Sequence, residues 1–263
     1  MIVYAYDFSV IIIKSKREIN YIREACRLTA MTIAFIGKKL IKPGITTEEI
    51  DVRAEAYLNS LGGKPAFKGY GGYPAAVCIS VNDVVIHGIP DNYKLTEGDI
   101  VGIDFGAIYK GYYGDAARTF AVGSIQGKKK KLLEVTEQSL YKGIDAAIPG
   151  NRVGDISYAV QSHVEKNGFS IVREFVGHGV GVKLHEEPAI PNFGTKGIGP
   201  LLKPNMTIAI EPMVNMGKPD VRILSDGWTV VTLDHKPSAH FENSILITEG
   251  GNEILTKVEE VEI

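Results

Sequence analysis

The sequence predicts an α+β fold of two related halves sharing one sheet and one core, and three observations predict it. A helix, a Pro-Gly pair, a second helix and a glycine occur in that order twice. β-rich segments follow each occurrence, and no Pro/Ser-rich linker parts the two. The chain therefore reads as a single domain over residues 1–263, with halves of about 14–123 and 124–263.

Met1 to Ile13 is apolar, but Asp7 interrupts it and no basic region precedes it, so it reads as an edge strand rather than a secretory signal. Ile19, Ile22, Cys26, Thr29, Ile33, Ile36 and Leu40 recur at helical spacing until Pro43-Gly44 halts them. Thr46 with Glu49 forms a capping-box signature for a second helix, whose stripe is Ile50, Ala54, Tyr57 and Leu61 and whose stop is Gly62-Gly63. A shift of 106 positions superposes Gly37 on Gly143, Pro43-Gly44 on Pro149-Gly150, Ile50 on Ile156 and Gly62 on Gly168. Strands are expected over Ala75 to Ile86, Ile100 to Ile108 and Asp115 to Val122 in the first half. The second half offers Ile171 to Val182, Met206 to Ile210, Gly227 to Leu233 and Ser244 to Thr248. A functional site between the halves is expected.

Composition narrows the partners. A net charge of -2 offers no broad attraction for nucleic acid or anionic membrane. No stretch approaches the ~18 uninterrupted apolar residues of a membrane span. The two cysteines, Cys26 and Cys78, are too few for a disulfide scaffold and fit a reducing cytoplasm, with Cys78 read as buried packing. A cytoplasmic monomer that binds neither DNA nor membrane is expected.

Five residues carry the chemistry. Period two along Ile100 to Gly106 puts Asp104 beside Gly102 and Gly106 on one face, where the glycines give it room. Lys110-Gly111 marks a turn that brings Asp115 back opposite Asp104, and two like charges so placed destabilise a sheet unless a cation or shared proton intervenes. The competing reading leaves one acid as a solvated turn residue. His178 stands between Gly177 and Gly179, and His185 follows; either alone could be structural. Glu211 ends one apolar strand before Pro212, and Glu242 heads another, although acids at strand ends are often simply exposed. Four carboxylates and one imidazole carry a formal charge of -4, which matches two divalent cations. The oxygen-rich, thiolate-free set suits Mn²⁺, Fe²⁺ or Co²⁺ at least as well as Zn²⁺, and the set looks like that of a two-metal hydrolase.

The motifs Val81-Asn-Asp-Val-Val-Ile-His87-Gly-Ile-Pro90, Gly98-Asp-Ile-Val-Gly-Ile-Asp104, Gly114-Asp115, Gly177-His178-Gly179-Val-Gly181, His185-Glu-Glu-Pro188, Ile210-Glu211-Pro212-Met213 and Phe241-Glu242 run in order from about Ile19 to Thr248. Together they resemble the type I methionine aminopeptidases. The resemblance implies the pita-bread fold, with two pseudo-twofold-related halves whose helices pack on a curved antiparallel sheet. It also implies a dinuclear metallopeptidase that removes the initiator methionine from nascent chains, in solution or at the ribosome. Asp104 resembles the chelating ligand of one metal, His178 and Glu211 ligands of the other, and Asp115 and Glu242 the bridging carboxylates. His87 and His185 resemble histidines that contact substrate, with Glu211 taking and returning the proton. Phe67, Tyr70, Tyr73, Leu184 and Trp228 fall where the family lines its methionine pocket, although Trp228 alone could be plain core. The carbonyls of Asn82, Val84 and Ser238 correspond to a Na⁺ or K⁺ site in some members. Gly177 and Gly179 are expected to let substrate backbone approach His178.

The chain departs from the family at Phe67, a common Cys; Gly102, a common Asn; Asn205, a common Gly; and His240, a common Gln two residues from Glu242. X-Pro dipeptidases and aminopeptidase P share the five-ligand pattern but usually carry an extra N-terminal domain, and they remain the alternative. Type II enzymes insert a helical block between the last histidine and Glu-Pro, for which the 26 residues from His185 to Glu211 leave no space. A binding module that has lost its enzyme activity is disfavoured because all five ligands stand. The run Lys128 to Lys131 reads as a solvated helix start in preference to an RNA contact.

Overall fold

The computed structural model describes residues 10–261. The edge strand expected over Met1 to Ile13 lies mostly outside them, and Val10 to Ile13, which are described, form no strand. The first half runs α1 (Lys16–Phe35), a π-helical turn (Ile36–Leu40), α2 (Thr47–Ser60), β1 (Lys64–Pro65), β2 (Cys78–Val81), β3 (Val84–Ile86), β4 (Ile100–Tyr109) and β5 (Tyr112–Ala121). The second runs α3 (Gly127–Ala146), α4 (Val153–Lys166), β6 (Ser170–Ile171), β7 (Gly177–Gly179), β8 (Glu186–Ile190), β9 (Thr207–Ile210), β10 (Met213–Asn215), β11 (Val221–Ile223), β12 (Val230–Thr232), β13 (Ser238–His240), β14 (Glu242–Ile247) and β15 (Asn252–Ile254).

The repeat read from the sequence has a backbone counterpart. Gly44 and Gly150 hold φ of +90° and +91°, Gly62 and Gly168 +81° and +79°. These left-handed values are strained for any residue with a Cβ, which is why glycine punctuates both halves. The equivalence extends to hydrogen bonds, since the Gly44 amide donates to Leu95 O and the Gly150 amide to Leu202 O. Thr46 caps α2 by accepting from the Glu49 amide at 3.1 Å, but only half of the expected capping box forms, because the Glu49 carboxylate turns forward to Arg53. The complete box is at α1, where Ser15 and Glu18 satisfy each other's backbone amides.

Among the described residues nine strands form one antiparallel sheet in the order β1-β4-β5-β14-β9-β7-β8, with β2 also on β4 and β15 also on β14. The β5–β14 pairing joins the two halves. Val101, Ile103, Phe105 and Ala107 bury one face of β4 against Leu28 and Ile33 of α1 and Ile50 and Leu58 of α2. The second half repeats this with Ile208, Ile210, Ile245 and Ile247 against Leu140 and Ile144 of α3 and Ile156 and Val160 of α4. Each fully buried aliphatic side chain contributes about 1.5–3 kcal/mol relative to exposure, so these faces fix which side of the sheet is left for chemistry. Gly114 sets how closely α1 lies on β5, since a Cβ there would come within 2.5 Å of the Cys26 amide nitrogen.

Several expected strands are shorter than the sequence suggests. Ala75 to Ile86 holds two strands joined at Asn82, whose φ is +53°. Ile171 to Val182 breaks into β6 and β7, and the intervening Glu174 to Val176 turns into a cleft. Asn205, at the position where the resemblance places a common Gly, takes φ of +69°, a left-handed conformation that Asn tolerates better than most residues. Lys128 to Lys131 open α3 as expected of a helix start, with Lys129 donating to Gly98 O at 2.7 Å and Lys131 lying over the Phe169 ring.

Candidate metal centre and substrate cleft

The hairpin of β4 and β5 turns at Lys110-Gly111, and its register corrects the one read from the sequence. Asp104 pairs with Ala117 and Asp115 with Gly106, two residues from the expected opposition. A shift of two preserves the face, so both carboxylates still point the same way, as diagonal neighbours rather than directly opposed ones. Glu242, first residue of β14, pairs with Ala117 of β5, and Glu211 follows β9, whose ladder Pro212 ends for want of an N–H. His178 is the middle residue of β7, opposite Ala209.

Pairing therefore converges the five predicted residues on the face of the sheet opposite the helices. Ligand atoms of Asp115, His178 and Glu242 all lie within 4.8 Å of one another, and each of the three is buried. His178 Nε2 is 3.5 Å from Glu211 Oε1 and 3.9 Å from Asp115 Oδ2. The other ring nitrogen, Nδ1, lies 2.9 Å from Gly179 O, a contact that places its proton there and leaves Nε2 as a bare acceptor among carboxylates.

The electrostatics of the protein alone are unfavourable. Burial raises the Asp104 carboxyl to about 7. Burial, then Glu242 and Asp104, push Asp115 well above the carboxylate range. Glu211 is raised by burial, Asp104 and Asp115, and Glu242 by burial, Glu211 and Asp104. Burial lowers His178 to about 4, so the imidazole is neutral and offers no compensating charge. Asp104 Oδ1, Asp115 Oδ1 and Glu242 Oε1 are buried without hydrogen-bond partners among the described residues. Unpartnered buried carboxylate oxygens beside a bare imidazole nitrogen are the donor set of a hard or borderline divalent cation, and they fit one.

A cleft of about 480 Å³ opens over these residues, and every predicted pocket residue lines it: Phe67, Tyr70, Tyr73, Leu184 and Trp228, together with His87 and His185. Tyr73 meets Trp228 edge-on with ring centroids 5.2 Å apart, and His87 meets Trp228 at 6.3 Å. Tyr70 Oη lies 2.8 Å from His185 Nδ1, and the His185 ring stands 4.4 Å from that of His178. Burial lowers His87 to about 4 and His185 well below its ordinary value, the latter with help from His178 and His87. His87 has φ of +57° and is followed by Gly88, where a Cβ would come within 2.2 Å of Ile79 O. The close pass of β2 thus dictates the turn that aims His87.

Glu174, Phe175, Val176, Ile223 and Val230 also line the cleft and were not singled out in the sequence. Phe175 packs edge-on to His87 at 5.9 Å. It sits in an irregular link between two very short strands, where no periodicity marks it. Cys78 is buried as expected but lines the cleft as well. Gly177 and Gly179 are required by strand packing, since a Cβ on them would strike Ala209 O at 2.4 Å or Glu187 O at 2.3 Å. The space at Gly106 accommodates Ala66 and the Phe67 ring, each 2.9 Å from where a Cβ would stand, rather than Asp104. His240 is buried with Nε2 3.7 Å from Glu211 Oε2 and no hydrogen-bond partner. The Ser238 amide donates to Asn82 O, which brings together two of the three stretches expected at the Na⁺ or K⁺ site. Among the described residues no helix is long and apolar enough to cross a membrane.

Comparison with known proteins gives a consistent result. The model of metallopeptidase family M24 matches residues 20–249. Methionine aminopeptidase 1 of Bacillus subtilis is 53% identical over 249 residues, covering 95% of this chain and all of that one. The crystal structure of methionine aminopeptidase from Thermotoga maritima superposes with a TM-score of 0.92 at 48% identity, over 94% of this chain and all of that one. Prolidase from Pyrococcus furiosus superposes with a TM-score of 0.78 at 27% identity, over 96% of this chain but 66% of that one.

Proposed function

The chain belongs to metallopeptidase family M24, and on that premise we propose that it is a methionine aminopeptidase that removes the first methionine of a polypeptide when the second residue is small. Its architecture is the pita-bread arrangement. The observation that carries the reading is that four carboxylates, buried at Asp115 and Glu242 and half-buried at Asp104 and Glu211, line one aromatic-lined cleft with His178.

Asp104, Asp115, His178, Glu211 and Glu242 would hold two divalent cations, from among Co, Mn, Fe and Zn. When bound, such a pair supplies an acidified water as nucleophile and polarises the scissile carbonyl. Glu211, which also lines the cleft, takes the nucleophile's proton and returns it to the leaving amine. At neutral pH His185 is uncharged, so one nitrogen donates and the other accepts. In the tautomer that carries its proton on Nε2, His185 accepts from the Tyr70 hydroxyl at Nδ1 and would donate Nε2–H to the oxyanion that develops on the substrate carbonyl. His87 holds the peptide backbone beside the scissile bond. Phe67, Tyr73, Leu184 and Trp228 enclose an unbranched, polarisable methionine side chain, which packs well on aromatic rings. The natural substrate is the N-terminus of a newly made chain, met free or at the ribosome.

The deciding experiment is mass spectrometry of a peptide panel with metal-loaded protein. Release of methionine from Met-Ala-Ser, with no release of other residues ahead of proline, supports the reading. Efficient release of non-methionine residues ahead of proline would transfer the chain to the X-Pro peptidases.

A further inference from the structure

We propose that Lys14 is a positioning residue for His185, acting through the buried carboxylate of Glu186. The proposal rests on the reading above for what His185 does, and on the following geometry for how it is held.

Lys14 Nζ lies 2.6 Å from Glu186 Oε2, and each side chain is 1% exposed. The other oxygen, Oε1, accepts the backbone amides of Val182 at 2.5 Å and Lys183 at 2.7 Å. One carboxylate therefore closes the turn from Val182 to Glu186 upon itself and ties it to a cation 172 residues away. That turn delivers Leu184 and His185 into the cleft. Its far end is fixed as well, because Glu186 pairs with Gly179 in the β7–β8 ladder, next to His178. The 4.4 Å approach of the His178 and His185 rings is thus set by the ladder on one side and the clamp on the other.

Lys14 is itself held in place. Its amide donates to Asn205 O, and the Asn205 amide donates to Ile247 O at the end of β14. The backbone that carries the ammonium is thus tied to the sheet that includes Glu242. A buried Lys–Glu pair is weak evidence of a stabilising device, since apolar residues of the same volume commonly serve stability as well or better. What an apolar pair cannot supply is an ionic acceptor for two backbone amides beside a hydrogen-bonding catalytic group. Misplacement of such a group by about 1 Å costs on the order of 100-fold in rate.

The test uses the full, metal-loaded chain with Lys14→Met, which keeps the unbranched stem and removes the ammonium. Three quantities are read: deuterium exchange at the Val182 and Lys183 amides, metal content, and kcat and KM on Met-Ala-Ser. Expected are faster exchange at those two amides, wild-type metal content, and a kcat lowered by about tenfold or more with little change in KM. Lys14→Arg should restore most of the kcat. Wild-type exchange at both amides overturns the proposal, as does faster exchange with unchanged kcat per bound metal. If the unpaired Glu186 prevents Lys14→Met from folding, Lys14→Gln, a neutral donor, is read the same way with a smaller expected loss. Failure of the peptidase reading would show separately, as wild-type metal-loaded protein that releases no methionine. The exchange arm then still decides whether Lys14 holds the turn.

Discussion

His178 Nε2 faces Glu211 Oε1 across 3.5 Å and brings no proton of its own, because the imidazole is neutral and its proton is on Nδ1, which donates to Gly179 O. Once Glu211 is ionised the two are acceptors that repel in a buried site unless a proton or a cation sits between them, so the geometry is that of a cradle rather than an ion pair.

The metal-free protein should therefore lose stability as pH rises. Burial raises Asp104 to about 7, and burial together with the neighbouring carboxylates holds Asp115, Glu211 and Glu242 well above the carboxylate range. A carboxyl whose folded pKa exceeds its unfolded one contributes stability that is full below the unfolded pKa and lost as pH rises through the folded one. The difference in Tm between metal-loaded and stripped protein should thus widen from about pH 4 to beyond pH 7. A difference that stays constant across that range in calorimetry would refute the buried-carboxylate account.

Asp115→Asn should lose bound metal and activity together. The stripped variant should at the same time be more stable at pH 7 than stripped wild type, because one of the mutually repelling carboxylates is gone. Elemental analysis and thermal unfolding of the two stripped proteins check both halves of this expectation.

His185→Ala should keep its metal and lower kcat by about 10- to 1,000-fold, the range for a lost oxyanion donor. Tyr70→Phe should fall between it and wild type, since the donor survives but loses the hydroxyl at its Nδ1. A raised KM with unchanged kcat in His185→Ala would assign the histidine to ground-state binding instead.

Specificity should follow the size of the residue after methionine. Gly, Ala, Ser, Cys, Thr, Pro and Val are expected to permit cleavage, and Leu, Ile, Lys and Phe to prevent it. Gly106→Ala should lower kcat/KM for methionine by about tenfold or more, because the new Cβ meets Phe67 and pushes its ring toward the cleft. Competition assays on a Met-X-Ser panel give both results.

What could be read in the sequence depended on how much local physics each feature carries. The repeat was legible because Gly44, Gly62, Gly150 and Gly168 need left-handed backbone, a demand few other residues meet. The site was legible because acids beside buried apolar strands stand out wherever they fall. The hairpin register was not, since counting from the acids gave their opposition whereas the Lys110-Gly111 turn sets Asp104 against Ala117. The inference survived that error because side chains alternate with period two. Strands of two or three residues, such as β6 and β10, are shorter than any periodicity, so Glu174 to Val176 between β6 and β7 escaped notice. Lys14 gave no signal, because its partner is distant in sequence and a lone lysine reads as surface.

The candidate ligands straddle the join between halves: Asp104 and Asp115 come from one, His178, Glu211 and Glu242 from the other, and β5 meets β14 through Ala116–Ala117 and Asn243–Glu242. Metal held there would act as a rivet as well as a reagent. Starvation for the ion would then shorten the lifetime of the molecule and not merely idle it, since a protease that cuts transiently parted strands would find the empty form first.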